Sequence, residues 1–360
     1  MHKEKKMSFD LGQAHQLQKA LLNQSKHGDL SMYKEAQERG LTFSDLLEEL
    51  DPSPQDAKGD AFQRQMLLFE LVHNPSRPIT VDSFFVKSGM ILLPEFMQRE
   101  ISAGYGMIYE PASLISTVVM EKGPTVTPIY IKTAEAEKSA AIKGDGAAYP
   151  RSQLFYREKS VGMVDRGREF DFSYKVIRNQ QLTEFRTFLR YIGAQIATDE
   201  LDEIWTLIIA GDGSSPAATD VFAGTAGTLA YSDIVHLAMS FAAPCQMTHI
   251  LCNQSAMETI LNLTEYKNPE IWLALQKISG MEYLTGLLPM NAKLVICPGA
   301  TATILVGLDA RFALRETVAQ PLMIEADAII EQKIEQAVIS KESVYTILLD
   351  DASFKSDYTV

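Results

Sequence analysis

Cys245, His249, Cys252 and Cys297 are the residues of this chain that most invite a chemical reading. Together they could be imagined as four ligands of a zinc ion. A structural zinc site needs four ligands that converge on one point. The spacing Cys-x3-His-x2-Cys is not a standard knuckle, and the segment reads as a strand, in which His249 and Cys252 face opposite sides. Metal ligands are therefore expected to be none, and the thiols to be ordinary buried ones. Gly144-Asp145-Gly146 and Gly211-Asp212-Gly213 are lone tripeptides that read as turns. Gly224-Thr225-Ala226-Gly227 precedes a helix, but no strand carrying a dinucleotide fingerprint comes before it. The sequence has no GxxxxGK[ST] loop, no GxSxG elbow and no HExxH pair. None of its six histidines (His2, His15, His27, His73, His236 and His249) sits beside a nucleophile motif. Carboxylate pairs such as Glu48-Glu49 and Asp350-Asp351 are common in an acidic chain and identify nothing. The expectation is no catalytic residue, no cofactor-binding residue, no cofactor and no enzyme.

The bulk properties agree with a structural role. The chain has 360 residues, of which 46% are hydrophobic and 22% charged. That is enough to bury a sizeable core in two or three compact units, or in one elaborated domain. A net charge of −13 argues against sequence-reading of nucleic acid, which needs a basic face. The segment from Arg151 to Arg178 nevertheless carries seven bases against four acids. Such an asymmetry suits docking of one copy on another, or a solvated strand face. Three cysteines do not make a disulfide scaffold. The opening MHKEKKMSFD lacks the apolar core of a signal peptide, and no apolar run reaches the length of a membrane span. A reducing, cytoplasmic setting is expected, with no membrane partner.

Residues 1–75 read as a string of short amphipathic helices. Leu11, Ala14, Gln18, Leu21 and Leu22 recur at helical spacing, and Gly28 stops the segment. A second helix carries Met32 and Ala36 up to Gly40. A third, capped by Thr42 or Ser44, carries Phe43, Leu46, Leu47 and Leu50, and a fourth carries Phe62, Met66 and Phe69. With nine acids and three bases between Asp29 and Asp60, this region is expected to have little core of its own. Residues 76–119, punctuated by Gly89, Pro94, Gly104, Gly106 and Pro111, read as an extended crossing segment.

The region 120–178 reads as a long hairpin. Val118, Val126 and Ile129 to Ile131 form one arm, and Phe170 to Val176, strictly alternating, forms the returning arm. The stretch between them has few large apolar groups, and a two-stranded hairpin is marginal alone. Nothing else in the chain is an evident cover, so a neighbouring subunit is implied. One helix follows over 182–210, about 40 Å long at 1.5 Å per residue. Arg186 and Arg190 lie in its first half and Asp199, Glu200, Asp202 and Glu203 in its second, which opposes the helix dipole. Those acids, with no bases beside them on the helix, are expected to find partners elsewhere, such as on another copy. The rest, 215–325, reads as mixed α/β, and strands return over 326–360.

This order of elements resembles the major capsid proteins of tailed bacteriophages, which share the Hong Kong 97-like fold. The match rests on the hairpin, the long helix, Leu229-Ala230-Tyr231-Ser232-Asp233-Ile234-Val235 after it, and Thr248 to Asn253 running into a helix at Ser255. The resemblance implies an α+β fold with an N-terminal helical arm or scaffold-like segment (1–75), an extended N-arm crossing (76–119) and an E-loop (120–178). It further implies a spine helix of a peripheral domain (179–214), an axial domain (215–325) and returning strands of the peripheral domain (326–360). It implies self-assembly into pentamers and hexamers of an icosahedral virion shell around double-stranded DNA bound without sequence specificity. A scaffolding protein, a maturation protease and a portal would be partners, and assembly would occur in the host cytoplasm. An acidic N-terminal region facing inward would be removed, refolded or shielded before packaging.

The sequence departs from the family in one respect. Some members join a Lys of the E-loop to an Asn of the peripheral domain. Lys138 or Lys143 could supply the amine, but no asparagine follows Asn291, so no such cross-link is expected. Two rivals stand beside this reading. One is an encapsulin-type nanocompartment shell, whose subunits usually lack such an arm. The other is a soluble α/β enzyme with an unrecognised site.

Overall fold

A computed structural model describes residues 11–27, 31–39, 41–53, 59–71, 79–81, 83–84, 90–108, 110–131, 145, 154–173, 181–266, 292–329 and 334–359. The chain divides into two compact units. The first comprises 1–105, 167–193 and 322–340; the second comprises 106–166, 194–321 and 341–360. The fold is α+β.

The chain opens with four short helices: α1 (Leu11–His27), α2 (Ser31–Arg39), α3 (Phe43–Leu50) and α4 (Ala61–Leu68). Thr42 caps α3 through a reciprocal capping box with Asp45, the arrangement that satisfies two orphan N–H groups at once. Asp60 caps α4. These helices do have a core. Leu21, Leu46, Leu47 and Leu71 are fully buried, and the rings of Tyr33 and Phe43 stack 4.1 Å apart. The expectation of little internal core is corrected for a physical reason: each apolar stripe is narrow, but several stripes meet on one axis. The acids are also answered locally. Asp51 pairs with Arg64 at 2.9 Å, both side chains almost wholly buried, and Arg64 also reaches Ser53.

The segment expected to be extended is partly helical. After a 3-10 turn at Met90–Leu92 come α5 (Leu93–Tyr105) and α6 (Glu110–Leu114). Pro94 sits in the first turn of α5, where its missing N–H is harmless. Then follow β1 (Ile115–Met120), β2 (Thr125–Val126), β3 (Ile129–Ile131), β4 (Leu154–Tyr156), β5 (Val161–Gly162) and β6 (Val164–Ser173). The long helix α7 (Leu182–Ala210) has the bounds its sequence pattern predicts.

In the first unit α5 and α7 meet backbone to backbone. A Cβ on Gly104 would lie 2.1 Å from the Arg190 carbonyl oxygen, and one on Gly193 would lie 2.0 Å from that of Ile101. Gly104 is therefore a helix contact and not the turn its residue type suggests. Leu182, Phe185, Leu189 and Ile192 are buried on this part of α7, as are Phe84 and Phe96, whose rings lie 5.6 Å apart. Glu100 of α5 accepts from Arg190 at 2.7 Å and forms an ion pair with Arg186 at 2.8 Å.

The second unit is built on a five-stranded sheet. Its strands are β7 (Thr219–Asp220), β8 (His249–Cys252), β9 (Lys293–Ile296), β10 (Ile304–Leu308) and β13 (Ser353–Asp357), in the order β7-β13-β10-β8-β9. The helices α8 (Tyr231–Met239) and α9 (Gln254–Leu261) contribute Ile234, Leu237, Ala256 and Ile260 to its core. Asn253 caps α9 by accepting from Ala256 N–H at 2.7 Å. Every residue of the central strand β10 is buried. Leu201, Ile204, Trp205 and Ile208 of α7 join the same core. A second, four-stranded sheet includes β11 (Leu314–Ile329) and β12 (Ile334–Ile347), in the order β1-β11-β12-β6. Its β1–β11 ladder is parallel, with Val118 opposite Glu316 and Met120 opposite Val318.

Candidate functional site

The residues that most invite a chemical reading lie in a packed core. Cys245, Cys252 and Cys297 are buried in the second unit's core. Burial pushes the Cys252 and Cys297 thiols up to about 12, far from a nucleophile's range. His249 is buried beside Thr248, whose hydroxyl lies 2.9 Å from Nδ1, and burial lowers its pKa. Among the described residues no group of three or more His, Cys, Asp or Glu could hold a metal ion. Among them, too, no helix is long and apolar enough to cross a membrane.

The glycine motifs have architectural roles. Gly211 (φ +81°) and Gly213 (φ +78°) take up left-handed backbone after α7. Between them Asp212 accepts from the N–H groups of Ser214 and Ser215 and from Ile347 N–H at 3.2 Å, which ties the helix end to β12. Gly227 N–H donates to the Tyr358 carbonyl at 2.7 Å. A Cβ on Gly224 would strike the Asp233 carboxylate, which caps α8 at Ala230 N–H. Gly144 and Gly146 lie outside the described residues, and Asp145 is an exposed turn residue.

The acids of α7 are answered within this chain. Lys341, the sole base on β12, lies 2.7 Å from Glu200 and 2.8 Å from Glu316. Burial opposes its charge, but the two carboxylates outweigh burial and hold its pKa above the ordinary value. Arg166 of β6 pairs with Glu203, donates to the Ser343 carbonyl at 2.8 Å and lies over the Tyr345 ring. Asp202 accepts from Gly299 N–H at 2.7 Å, and Asp199 from Gln195 at 3.0 Å. The helix charges that looked uncompensated thus staple α7 to β6, β11 and β12. Sequence reasoning missed this staple, although a strand whose one base is Lys341 is a signal for it.

Among the described residues the hairpin pairs only with itself, although Val126 on it is buried. Its arms are β2–β3 and β4–β5, paired antiparallel, with Ile129 opposite Tyr156 and Val126 opposite Val161. The returning arm is therefore 154–162. The run from Phe170 to Ser173 belongs to β6, which pairs with β12 instead. Strict alternation identified a strand there, but alternation does not name the partner, and residues 174–176 of the run lie outside the described residues. The two ladders form separate two-stranded sheets. Tyr156 is 71% exposed, and Val118, Met120 and Val164 at the hairpin root are exposed as well. Tyr130 and Phe155 pack across the ladder, 5.8 Å between centroids. Arg157 pairs with Asp350 at 2.6 Å. Lys138 and Lys143, the candidate cross-linking amines, lie outside the described residues.

No protein-family model matches the chain, and no curated protein matches it. Solved structures do. A virus-like particle from Pyrococcus furiosus is similar at 11% identity and a TM-score of 0.45, over 73% of this chain and 98% of that one. The chain of Microbacterium phage Oxtober96 is similar at 9% identity and a TM-score of 0.48, over 68% and 90%. The holo-SrpI encapsulin complex from Synechococcus elongatus is similar at 10% identity and a TM-score of 0.44, over 67% of this chain and 84% of the other.

Proposed function

We propose that this chain is a major capsid protein of Hong Kong 97-like fold that assembles as pentamers and hexamers into a closed icosahedral shell around double-stranded DNA. One observation carries the proposal: among the described residues the hairpin of β2 to β5 pairs only with itself, with Tyr156 exposed on it and Val118, Met120 and Val164 exposed on the strands at its root. Such a ribbon is marginal in water, and exposed apolar groups at its face and root mark a contact surface. A second copy of the chain supplies the cover, and point-group closure ends growth. On this reading residues 1–75 are an N-terminal arm, 76–119 a crossing segment, 120–178 the E-loop and 179–214 the spine. Residues 215–325 are the axial domain and 326–360 the returning peripheral strands. The protein is a structural component of a virion and not an enzyme. Scaffold, protease and portal are its transient partners, and no Lys–Asn cross-link forms.

Size-exclusion chromatography with negative-stain microscopy of the full chain tests this. Shells, sheets or capsomer-sized oligomers are expected. A stable monomer or dimer at every concentration overturns the proposal. The contents of particles purified from cells separate the two shell readings. Nuclease-protected double-stranded DNA is expected, whereas a cargo protein without DNA identifies a nanocompartment.

A further inference from the structure

The hairpin stands on two feet. The chain enters it from β1 and leaves it into β6, and these are the outer strands of the four-stranded sheet. Three inter-strand spacings separate them, about 14 Å. The connections are short: residues 121–124 on the way in, and Met163, whose N–H donates to the Pro124 carbonyl at 3.0 Å, on the way out. A ribbon so mounted keeps its own pairing while its tilt against the sheet stays a soft coordinate.

Arg157 acts on that coordinate. Its backbone N–H donates to the Pro128 carbonyl at 2.8 Å, which fixes it to the opposite arm. Its guanidinium lies 4.4 Å from the centroid of the Tyr130 ring, on that same arm. The far side of the guanidinium donates to Asp350 Oδ1 at 2.6 Å. Asp350 is not part of the hairpin; it opens the 3-10 turn Asp350–Ala352 between β12 and β13. The Arg157 side chain is 11% exposed and that of Asp350 37%, so this contact is partly, not fully, shielded from salt. One side chain therefore joins both arms of the ribbon to the sheet-bearing body.

We propose that Arg157 is a latch, a positioning residue that presets the tilt of the hairpin in the free subunit so that the ribbon meets a second copy already in its docking pose. The inference rests on the shell-subunit reading above. Its physical basis is preorganisation: freedom removed before encounter is not lost on binding. The planar guanidinium is what the geometry requires, since it stacks on a ring and donates at its edge simultaneously.

The test is the threshold concentration for assembly, read by light scattering, with Tm measured on the same unassembled samples. Arg157→Ala and Asp350→Ala are each expected to raise the threshold about tenfold or more, the cost of one lost charge-assisted contact, with Tm unchanged. Arg157→Lys keeps the charge but loses the stack, and should fall between. The exchanged pair Arg157→Asp with Asp350→Arg should recover part of the loss. Unchanged thresholds in both alanine variants overturn the latch and leave the shell reading standing. So do alanine variants that lower Tm and an exchanged pair that recovers that Tm but not the threshold, since together these mark a merely structural contact. A wild-type chain that never assembles overturns the shell reading itself.

Discussion

The N-terminal helices and the hairpin look alike in sequence, for both are polar stretches with few large apolar residues, yet they end in opposite states. The helices pool their narrow stripes into a core in which Leu21, Leu46, Leu47 and Leu71 are fully buried. The hairpin cannot do the same. A ribbon has two faces and one layer, so Tyr156 remains 71% exposed however well the strands pair. The difference teaches that sparse hydrophobicity is not by itself evidence of a missing partner. Helices can solve the problem among themselves; a lone two-stranded sheet needs another surface.

Four measurements would break or sharpen this contrast. The largest effect is expected for Asp51→Ala, which removes the buried carboxylate that pairs with the Arg64 guanidinium. It should lower stability by about 3–5 kcal/mol in urea unfolding; a loss below about 1 kcal/mol would mean that the helical core tolerates water there. Gly193→Ala comes next. Alanine is the better helix former by about 1 kcal/mol, but its Cβ would lie 2.0 Å from the Ile101 carbonyl oxygen. A net loss of about 1–3 kcal/mol is expected, and stabilisation would disprove the close approach of α5 and α7. A milder perturbation is acid. Burial depresses the His249 pKa in the folded chain, so the unfolded chain binds its proton first as pH falls. Stability should be level above pH 6.5, the ordinary value, and decline below it towards the depressed value. His249→Asn should flatten that decline; identical pH profiles of Tm would remove His249 as its source. The smallest change in folding is expected for Tyr156→Asp, within about 0.5 kcal/mol because the site is exposed. The same substitution should abolish assembly as seen by negative-stain microscopy, and normal particles would show that the hairpin face is not the contact surface.

Local signals were legible and partners were not. The sequence pattern predicts α7 to its observed bounds and offers Thr42 or Ser44 as the cap of α3, because spacing and capping residues act within a few residues. It misplaces the returning arm of the hairpin because period-2 alternation in β6 says that one face is buried, not which strand lies alongside. It reads Gly104 as a turn because glycine serves turns and close helix contacts equally well. It leaves Glu200 and Glu203 open because their partners, Lys341 and Arg166, lie far along the chain. The chemical motifs are likewise explained only in three dimensions: Gly211-Asp212-Gly213 is a helix stop pinned to Ile347, and the cysteines fill a core.

The mounting of the hairpin on both outer strands also decides how the chain carries load. Tension on the ribbon enters the sheet along β1 and β6, parallel to the strands. The ladder bonds between β1 and β11 run across that direction, so they are sheared together and not unzipped one at a time. The two outer strands share the pull, and the stapled helix α7 braces the sheet between them through Lys341 and Arg166. A neighbour tugging on this hairpin would draw on the mechanical strength of the whole sheet.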